Sequence, residues 1–101
     1  MNNFTESVSF YTKASELSPE NSVYHQCRGK VLFLMQNYAE AIKCFDSVIK
    51  LESDNCEAHD FKGNCLFKLK KYTDALEEYT TAHKIDPKNQ IYLKHVNLTK
   101  V

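Results

Sequence analysis

The two glycines of this 101-residue chain, Gly29 and Gly63, stand 34 residues apart, and most of the sequence repeats with that spacing. Residues 22–55 align with residues 56–89 without a gap and share eight identities. The identical pairs are His25/His59, Gly29/Gly63, Leu32/Leu66, Phe33/Phe67, Tyr38/Tyr72, Ala41/Ala75, Lys50/Lys84 and Asn55/Asn89. A period of this length indicates that one structural unit recurs along the chain.

Each period contains two stretches whose apolar residues recur every three or four positions, which is typical of amphipathic helices. Asn3 with Glu6, and Asn37 with Glu40, have the spacing of a helix-capping pair. The chain has only two glycines and two prolines, and this favours long helices over strands, which need more turns. The predicted helices lie near 4–17, 22–35, 38–51, 56–69, 72–85 and 90–100.

The period predicts an all-α fold, an antiparallel helix-pair solenoid of about six helices in a single domain. Residues 4–21 are expected to form the second helix of a partial repeat. Residues 22–55 and 56–89 are expected to be full repeats, and residues 90–101 the first helix of another.

Small residues, aromatic residues and a proline stand at fixed places in each period. In the second full repeat they are Gly63, Tyr72, Ala75, Tyr79, Ala82 and Pro87, and in the first they are Gly29, Tyr38, Ala41 and Phe45. The pattern resembles the tetratricopeptide repeat (TPR) family. It departs from that family at Ser53, where proline is usual, and at His25 and His59, where a bulky aromatic is usual. The resemblance implies a superhelix whose first helices line a concave face that binds proteins.

The overall charge and hydropathy exclude several classes of partner. Thirteen basic and thirteen acidic residues give a net charge of zero, so we expect no nucleic-acid partner. The chain has no long apolar run and no signal-peptide pattern, and we therefore expect no membrane association. Four cysteines without a secretory signal indicate reduced thiols and a cytoplasmic protein.

The sequence predicts neither an enzyme nor a metal or cofactor site. It has too few glycines for a phosphate-binding loop. Cys56 and His59 have the spacing of two zinc ligands, but no second pair accompanies them. His25 and His59 are expected to pack between helices, Cys65 to lie in the core, and Cys44 to be partly exposed.

The chaperone-binding carboxylate clamp found in some TPR domains needs lysine, asparagine and arginine at set distances from the repeat glycines. The chain carries Gln26, Lys30, Phe61, Ile91 and His95 at those places. In an alternative register Asp60 would repel the carboxylate. The clamp is therefore predicted to be absent, although the resemblance still implies a protein or peptide ligand.

We call the surface formed by the first helices the groove. The residues predicted to bind a partner there are Val23, Gln26, Cys27, Lys30, Leu34, Glu57, Asp60, Phe61, Asn64, Lys68, Ile91, Lys94 and His95; Phe33, Phe67 and Leu98 are also predicted to face it. The mixture of apolar and charged residues suits an amphipathic or mixed-charge segment. Phe61 is the predicted anchor.

Two other functions remain open at this point. The chain could be a self-assembly segment, or a regulatory TPR fragment of a larger enzyme. Self-association is expected because the first and last predicted helices each lack a covering neighbour. The apolar residues expected to lie uncovered there are Phe4, Val8 and Tyr11 at one end and Ile91, Leu93, Val96, Leu98 and Val101 at the other.

Overall fold

The computed structural model describes residues 3–100 and contains six α-helices within them. They are α1 (Phe4–Leu17), α2 (Ser22–Leu34), α3 (Tyr38–Leu51), α4 (Cys56–Lys68), α5 (Tyr72–Ile85) and α6 (Gln90–Thr99). Every predicted helix is confirmed to within one residue at each end. The helices form sequential antiparallel pairs. We keep the term first helices for α2, α4 and α6, which correspond to the helices predicted to begin each repeat. None of the described helices combines the length and apolar character needed to cross a membrane.

Asparagine side chains cap four of the helices. Asn3, Asn21, Asn55 and Asn89 each accept a hydrogen bond from a backbone N–H in the first turn of the helix that follows. Such bonds satisfy backbone donors that have no partner inside the helix. Asn37 is the N-cap residue of α3, as predicted, but its side chain makes no capping hydrogen bond.

The turns that enter α3 and α5 have a different construction. Gln36 and Lys70 adopt left-handed conformations, with φ values of 65° and 64°. The N–H of Asn37 donates to the carbonyl of Leu32 at 2.8 Å, and the N–H of Lys71 donates to the carbonyl of Leu66 at 2.9 Å. Both turns are Schellman motifs, which close the ends of α2 and α4 and reverse the chain direction.

Each glycine lies where its helix approaches an aromatic ring of the next helix. A Cβ atom on Gly29 would lie 2.8 Å from Cζ of Phe45, and one on Gly63 would lie 2.7 Å from Cδ1 of Tyr79. Phe45 is fully buried and Tyr79 nearly so. The helix pairs therefore need glycine at these places in order to pack closely.

The core consists of two clusters that follow the stacking of the repeats. The larger contains Leu32, Ala41, Cys44, Phe45, Val48, Ala58 and Cys65, and the smaller contains Leu66, Ala75, Tyr79 and Val96. Cys65 is buried as predicted, and burial raises the pKa of its thiol to about 12. The predicted exposure of Cys44 is wrong, since only 2% of this residue is exposed. It is enclosed because α3 is covered by both α2 and α4.

The predicted uncovered face of the last helix is only partly uncovered. Ile91 and Leu98 are exposed, but Leu93 is half-buried and Val96 is buried against the smaller core cluster. Val101 lies outside the described residues. On α1 the predicted residues Phe4, Val8 and Tyr11 are half-buried. The large apolar side chains exposed on α1 are Phe10 and Leu17, which were not among the residues predicted to lie uncovered.

Candidate functional site

A polar network joins α2 to α4 at one end of the groove. Gln26 donates a hydrogen bond to Glu57, and the Nζ atom of Lys30 lies 3.2 Å from the same carboxylate. The side-chain amide of Asn55 donates to Gln26 and to Glu52. These contacts fix neighbouring first helices to one another and surround a recess of about 230 Å³ that also includes Val23 and Cys27.

Phe61 lies on α4, the central first helix of the groove, and its ring also packs against neighbouring helices. Its ring stacks on Phe45 at a centroid distance of 5.3 Å and meets the edge of Phe33 at 5.8 Å. The Nζ atom of Lys30 lies 5.5 Å from the ring centroid, within the range of a cation–π contact. Because Phe61 is only partly exposed, its use as a binding anchor stays a prediction.

Asp60 does not line the open groove, and in this respect the sequence prediction is wrong. It is 7% exposed, and its Oδ1 atom lies 2.7 Å from Nδ1 of His95 on α6. Burial raises the pKa of the Asp60 carboxyl, and the hydrogen bond and charge of His95 only partly oppose this shift. The carboxylate therefore fastens α4 to α6 and is not available to a partner.

A pocket of about 180 Å³ lies between α4 and α6, and we call it the α4–α6 pocket. It is lined by Asn64, Phe67, Tyr79, His95, Leu98 and Thr99. The hydroxyl of Tyr79 donates to Oδ1 of Asn64 at 2.6 Å, which holds the floor in place. Burial raises the pKa of Tyr79 well above its ordinary value, so the hydroxyl stays protonated.

The remaining predicted groove residues differ in exposure. Gln26, Cys27, Lys30 and Asn64 are half-buried, whereas Val23, Leu34, Glu57, Lys68, Ile91 and Lys94 are exposed. The exposed residues come from all three first helices: those on α2 are apolar, those on α4 are charged, and α6 presents one of each kind.

The paired histidines at the same position of the period make matching contacts, which no local sequence pattern predicts. Nε2 of His25 donates to the carbonyl of Pro19 at 2.9 Å, and Nε2 of His59 donates to the carbonyl of Ser53 at 3.0 Å. Nδ1 of His59 also lies 2.8 Å from Glu78. Both ring nitrogens of His59 are therefore engaged, and the hypothetical zinc ligand is not free to bind a metal. Among residues 3–100 no cluster of three or more metal-ligand side chains occurs.

A second charged cluster lies outside the groove. Nζ of Lys62 lies 2.7 Å from Asp46 on α3 and 3.6 Å from Glu78 on α5. Burial lowers the pKa of Lys62, but the hydrogen bonds and charges of the two carboxylates outweigh it and raise the pKa overall. The cluster binds three consecutive helices together.

A model of the protein family described as "Anaphase-promoting complex, cyclosome, subunit 3" matches residues 1–85. The chain belongs to this family. Its fold is that of a TPR-like repeat domain, as the resemblance in the sequence predicted. A search of curated proteins finds no significant match.

Several solved structures similar to this member of the subunit 3 family are TPR domains. The first TPR of Spaghetti (RPAP3), bound to the HSP90 peptide SRMEEVD, has a TM-score of 0.92 and 22% identity, over 96% of this chain and 77% of that one. The second TPR domain of human RPAP3, in complex with the HSP70 peptide SGPTIEEVD, has a TM-score of 0.91 and 20% identity, over 97% and 82%. The Arabidopsis OM64 TPR domain has a TM-score of 0.90 and 20% identity, over 95% and 79%. At these identities the likeness shows the fold alone.

Proposed function

We propose that this chain is a protein-interaction scaffold or adaptor segment whose groove binds a peptide or a helix of a partner protein. The observation that carries the proposal is the exposure of large apolar side chains on the first helices. Val23, Leu34, Ile91 and Leu98 are 58–60% exposed, and they come from α2 and α6 on the groove side. Large apolar side chains exposed beside charged ones favour a partner-binding surface.

The charges of the groove favour a segment of mixed charge over a purely acidic tail. Two of the similar TPR domains hold peptides that end in EEVD. At the corresponding places here Gln26 and Lys30 already contact Glu57, and Ile91 carries no charge. A partner's carboxylate would meet Glu57 next to Lys30, so the chaperone clamp is not part of this proposal.

A displayed library of random peptides provides the test. Peptides selected on the wild-type domain are measured against Val23→Glu and Ile91→Glu, with Leu51→Glu on α3 as the control. Leu51 is also exposed but lies on a second helix. We expect an affinity loss of about tenfold for each groove variant and none for the control. Peptides that bind both groove variants as well as they bind the wild type would contradict the proposal.

Self-association is a second candidate function, favoured by the outer surface of α1. Phe10 is 64% exposed and Leu17 is 85% exposed, and their spacing of seven places both on one helix face. A second copy could cover them. The test is sedimentation over about a hundredfold range of concentration, in which association is expected to raise the mass and Phe10→Glu to abolish the rise. A constant monomer mass would exclude this candidate.

A test of self-association through α6 needs a substitution that leaves the core intact. Val96 is buried, so a charge there would unfold α6 without testing its surface. Leu98→Glu is the suitable substitution, because Leu98 is 60% exposed.

A further inference from the structure

The two junctions between consecutive repeats are built from equivalent positions, but they are filled differently. At the first junction Phe61 inserts between Phe33 and Phe45. One period of 34 residues later, the corresponding positions hold His95, Phe67 and Tyr79. An aromatic ring from α4 therefore completes the first junction, whereas a smaller imidazole stands in its place at the second.

The imidazole of His95 does not fill the second junction. Its ring is tilted by 42° to that of Tyr79 at a centroid distance of 4.9 Å, and its Nδ1 atom is held by Asp60. The space left beside it is the α4–α6 pocket of about 180 Å³, with Phe67 and Leu98 as its walls. The equivalent position at the first junction is filled by the aromatic ring of Phe61, so an aromatic ring suits the space at the second junction.

The volume of the α4–α6 pocket and the charges near it determine which side chain of a partner can bind there. A dry apolar cavity of about 150 Å³ is large enough to bind benzene, so a phenyl ring fits the available volume. Lys68 and Lys94 are exposed next to Phe67 and His95 in the chain, and neither forms a salt bridge with any residue between 3 and 100. Lys68 stands four residues after Asn64 and Lys94 four residues before Leu98, so each shares a helix face with a residue that lines the pocket. The neighbouring carboxylate, Asp60, is buried and engaged, so it does not offset the charge of these lysines.

We propose that the α4–α6 pocket receives an aromatic side chain from a partner segment, with a carboxylate next to that side chain in the segment. The aromatic ring takes the place that Phe61 takes one repeat earlier, and Lys68 and Lys94 attract the carboxylate. This inference rests on the proposed function of the groove and specifies which side chain the groove selects.

Two short blocked peptides test the pocket directly, N-acetyl-Phe-Asp-amide and N-acetyl-Phe-Lys-amide. Their binding is followed through the methyl NMR signals of Leu98 and Thr99. We expect saturable shifts with a dissociation constant of about 1 mM for the aspartate peptide and a value about fivefold weaker for the lysine peptide. Equal affinities, or shifts that do not saturate, would overturn the proposal.

Matched substitutions show whether the shifts come from this pocket. Leu98→Asn removes one wall, and Leu34→Asn is its control, because both leucines are 60% exposed on first helices and Leu34 lies outside the pocket. We expect about fivefold weaker binding for Leu98→Asn and unchanged binding for Leu34→Asn. Equal effects of the two substitutions would contradict the assignment.

A second variant closes the pocket without leaving a buried charge. The double substitution Asp60→Gln with His95→Phe introduces the residue types of Gln26 and Phe61 at the equivalent positions. We expect it to fold and to lose the saturable shifts. Wild-type binding by this variant would refute the proposal.

The outcomes separate this inference from the proposed function. If selected library peptides depend on Val23 and Ile91 but the aromatic probes do not bind, the groove function stands and the pocket assignment falls. If the probes bind and the selected peptides ignore the groove, the groove function falls, and with it the pocket's role in partner binding.

Discussion

At the residue scale, the positions with the least freedom are those where two neighbouring helices nearly touch. Gly63 faces the ring of Tyr79, whose hydroxyl is held by Asn64, and Gly29 faces the ring of Phe45, which is stacked on Phe61. Neither ring can retreat without breaking the contact that holds it in place. Single methyl groups at these glycines should therefore disturb more than their own helix.

Gly63→Ala is expected to lower the free energy of unfolding by about 1–3 kcal/mol, because the new Cβ overlaps the Tyr79 ring. Urea unfolding measures the effect. Asn97→Ala is the control, since Asn97 occupies the same place in the period and is exposed. An alanine variant at 63 as stable as the wild type would mean that the gain in helix propensity outweighs the overlap.

Asp60 should give the stability a distinctive pH dependence. Because burial raises the pKa of its carboxyl above 3.8, the folded state binds the proton more tightly than the unfolded state. The resulting stabilisation is complete below the ordinary carboxyl pKa and is lost as the pH rises through the raised value. Relative to Asp60→Asn, the wild type should therefore gain stability as the pH falls from about 7 to about 4.

Urea unfolding at several pH values measures this difference, and Asp54→Asn is the control because Asp54 is exposed. If the Asp60→Asn and Asp54→Asn variants follow the same pH dependence, the carboxylate of Asp60 is not perturbed by its burial.

At the scale of the helices, the connections between helix pairs differ from the connections within a pair. Asparagine caps begin the first helices α2, α4 and α6, whereas Schellman turns through Gln36 and Lys70 lead into the second helices α3 and α5. The turns within a helix pair are thus the tighter ones, and they place a side chain in the left-handed region at some conformational cost.

Lys70→Gly should relieve this cost and raise the free energy of unfolding by about 1 kcal/mol. Glu77→Gly, at an exposed position inside α5, should lower it by about the same amount, because glycine weakens a helix interior. Thermal unfolding of the two variants measures both effects. Destabilisation by Lys70→Gly would contradict the assigned turn.

The sequence predicted the helices far better than the contacts between them. The period of 34 residues locates each helix within a residue, because apolar spacing and capping residues are local signals. The bond between Asp60 and His95 joins residues 35 apart in different repeats, and no local pattern indicates it. The burial of Cys44 was missed for the same reason, since it depends on how α3 sits between two neighbours.

At the scale of the whole molecule, stability should be graded from the middle to the ends. Within the described residues, α3 and α4 each pack extensively on two helices, whereas α1 packs mainly on α2 and α6 mainly on α5. In a stack of repeats, each unit draws its stability from its own fold and from its immediate neighbours. The outer helices have fewer such neighbours.

Backbone amide protons of α1 and α6 are therefore expected to exchange with solvent at least about tenfold faster than those of α3 and α4. Hydrogen exchange followed by mass spectrometry or NMR measures the rates at each helix. Val48→Ala, in the fully buried core, should accelerate exchange in α3 and α4. Uniform rates along the chain would show that the domain opens only as a single unit.

The chemical reactivity of the two buried cysteines, Cys44 and Cys65, reports how often the packed helices separate. Burial raises the pKa of the Cys65 thiol to about 12 and also raises that of Cys44, so at neutral pH neither presents a reactive thiolate while the helices stay packed. Cys27 and Cys56 are only half-buried. An alkylating reagent should therefore modify Cys27 and Cys56 first, and modification of Cys44 or Cys65 requires the packed helices around them to separate transiently.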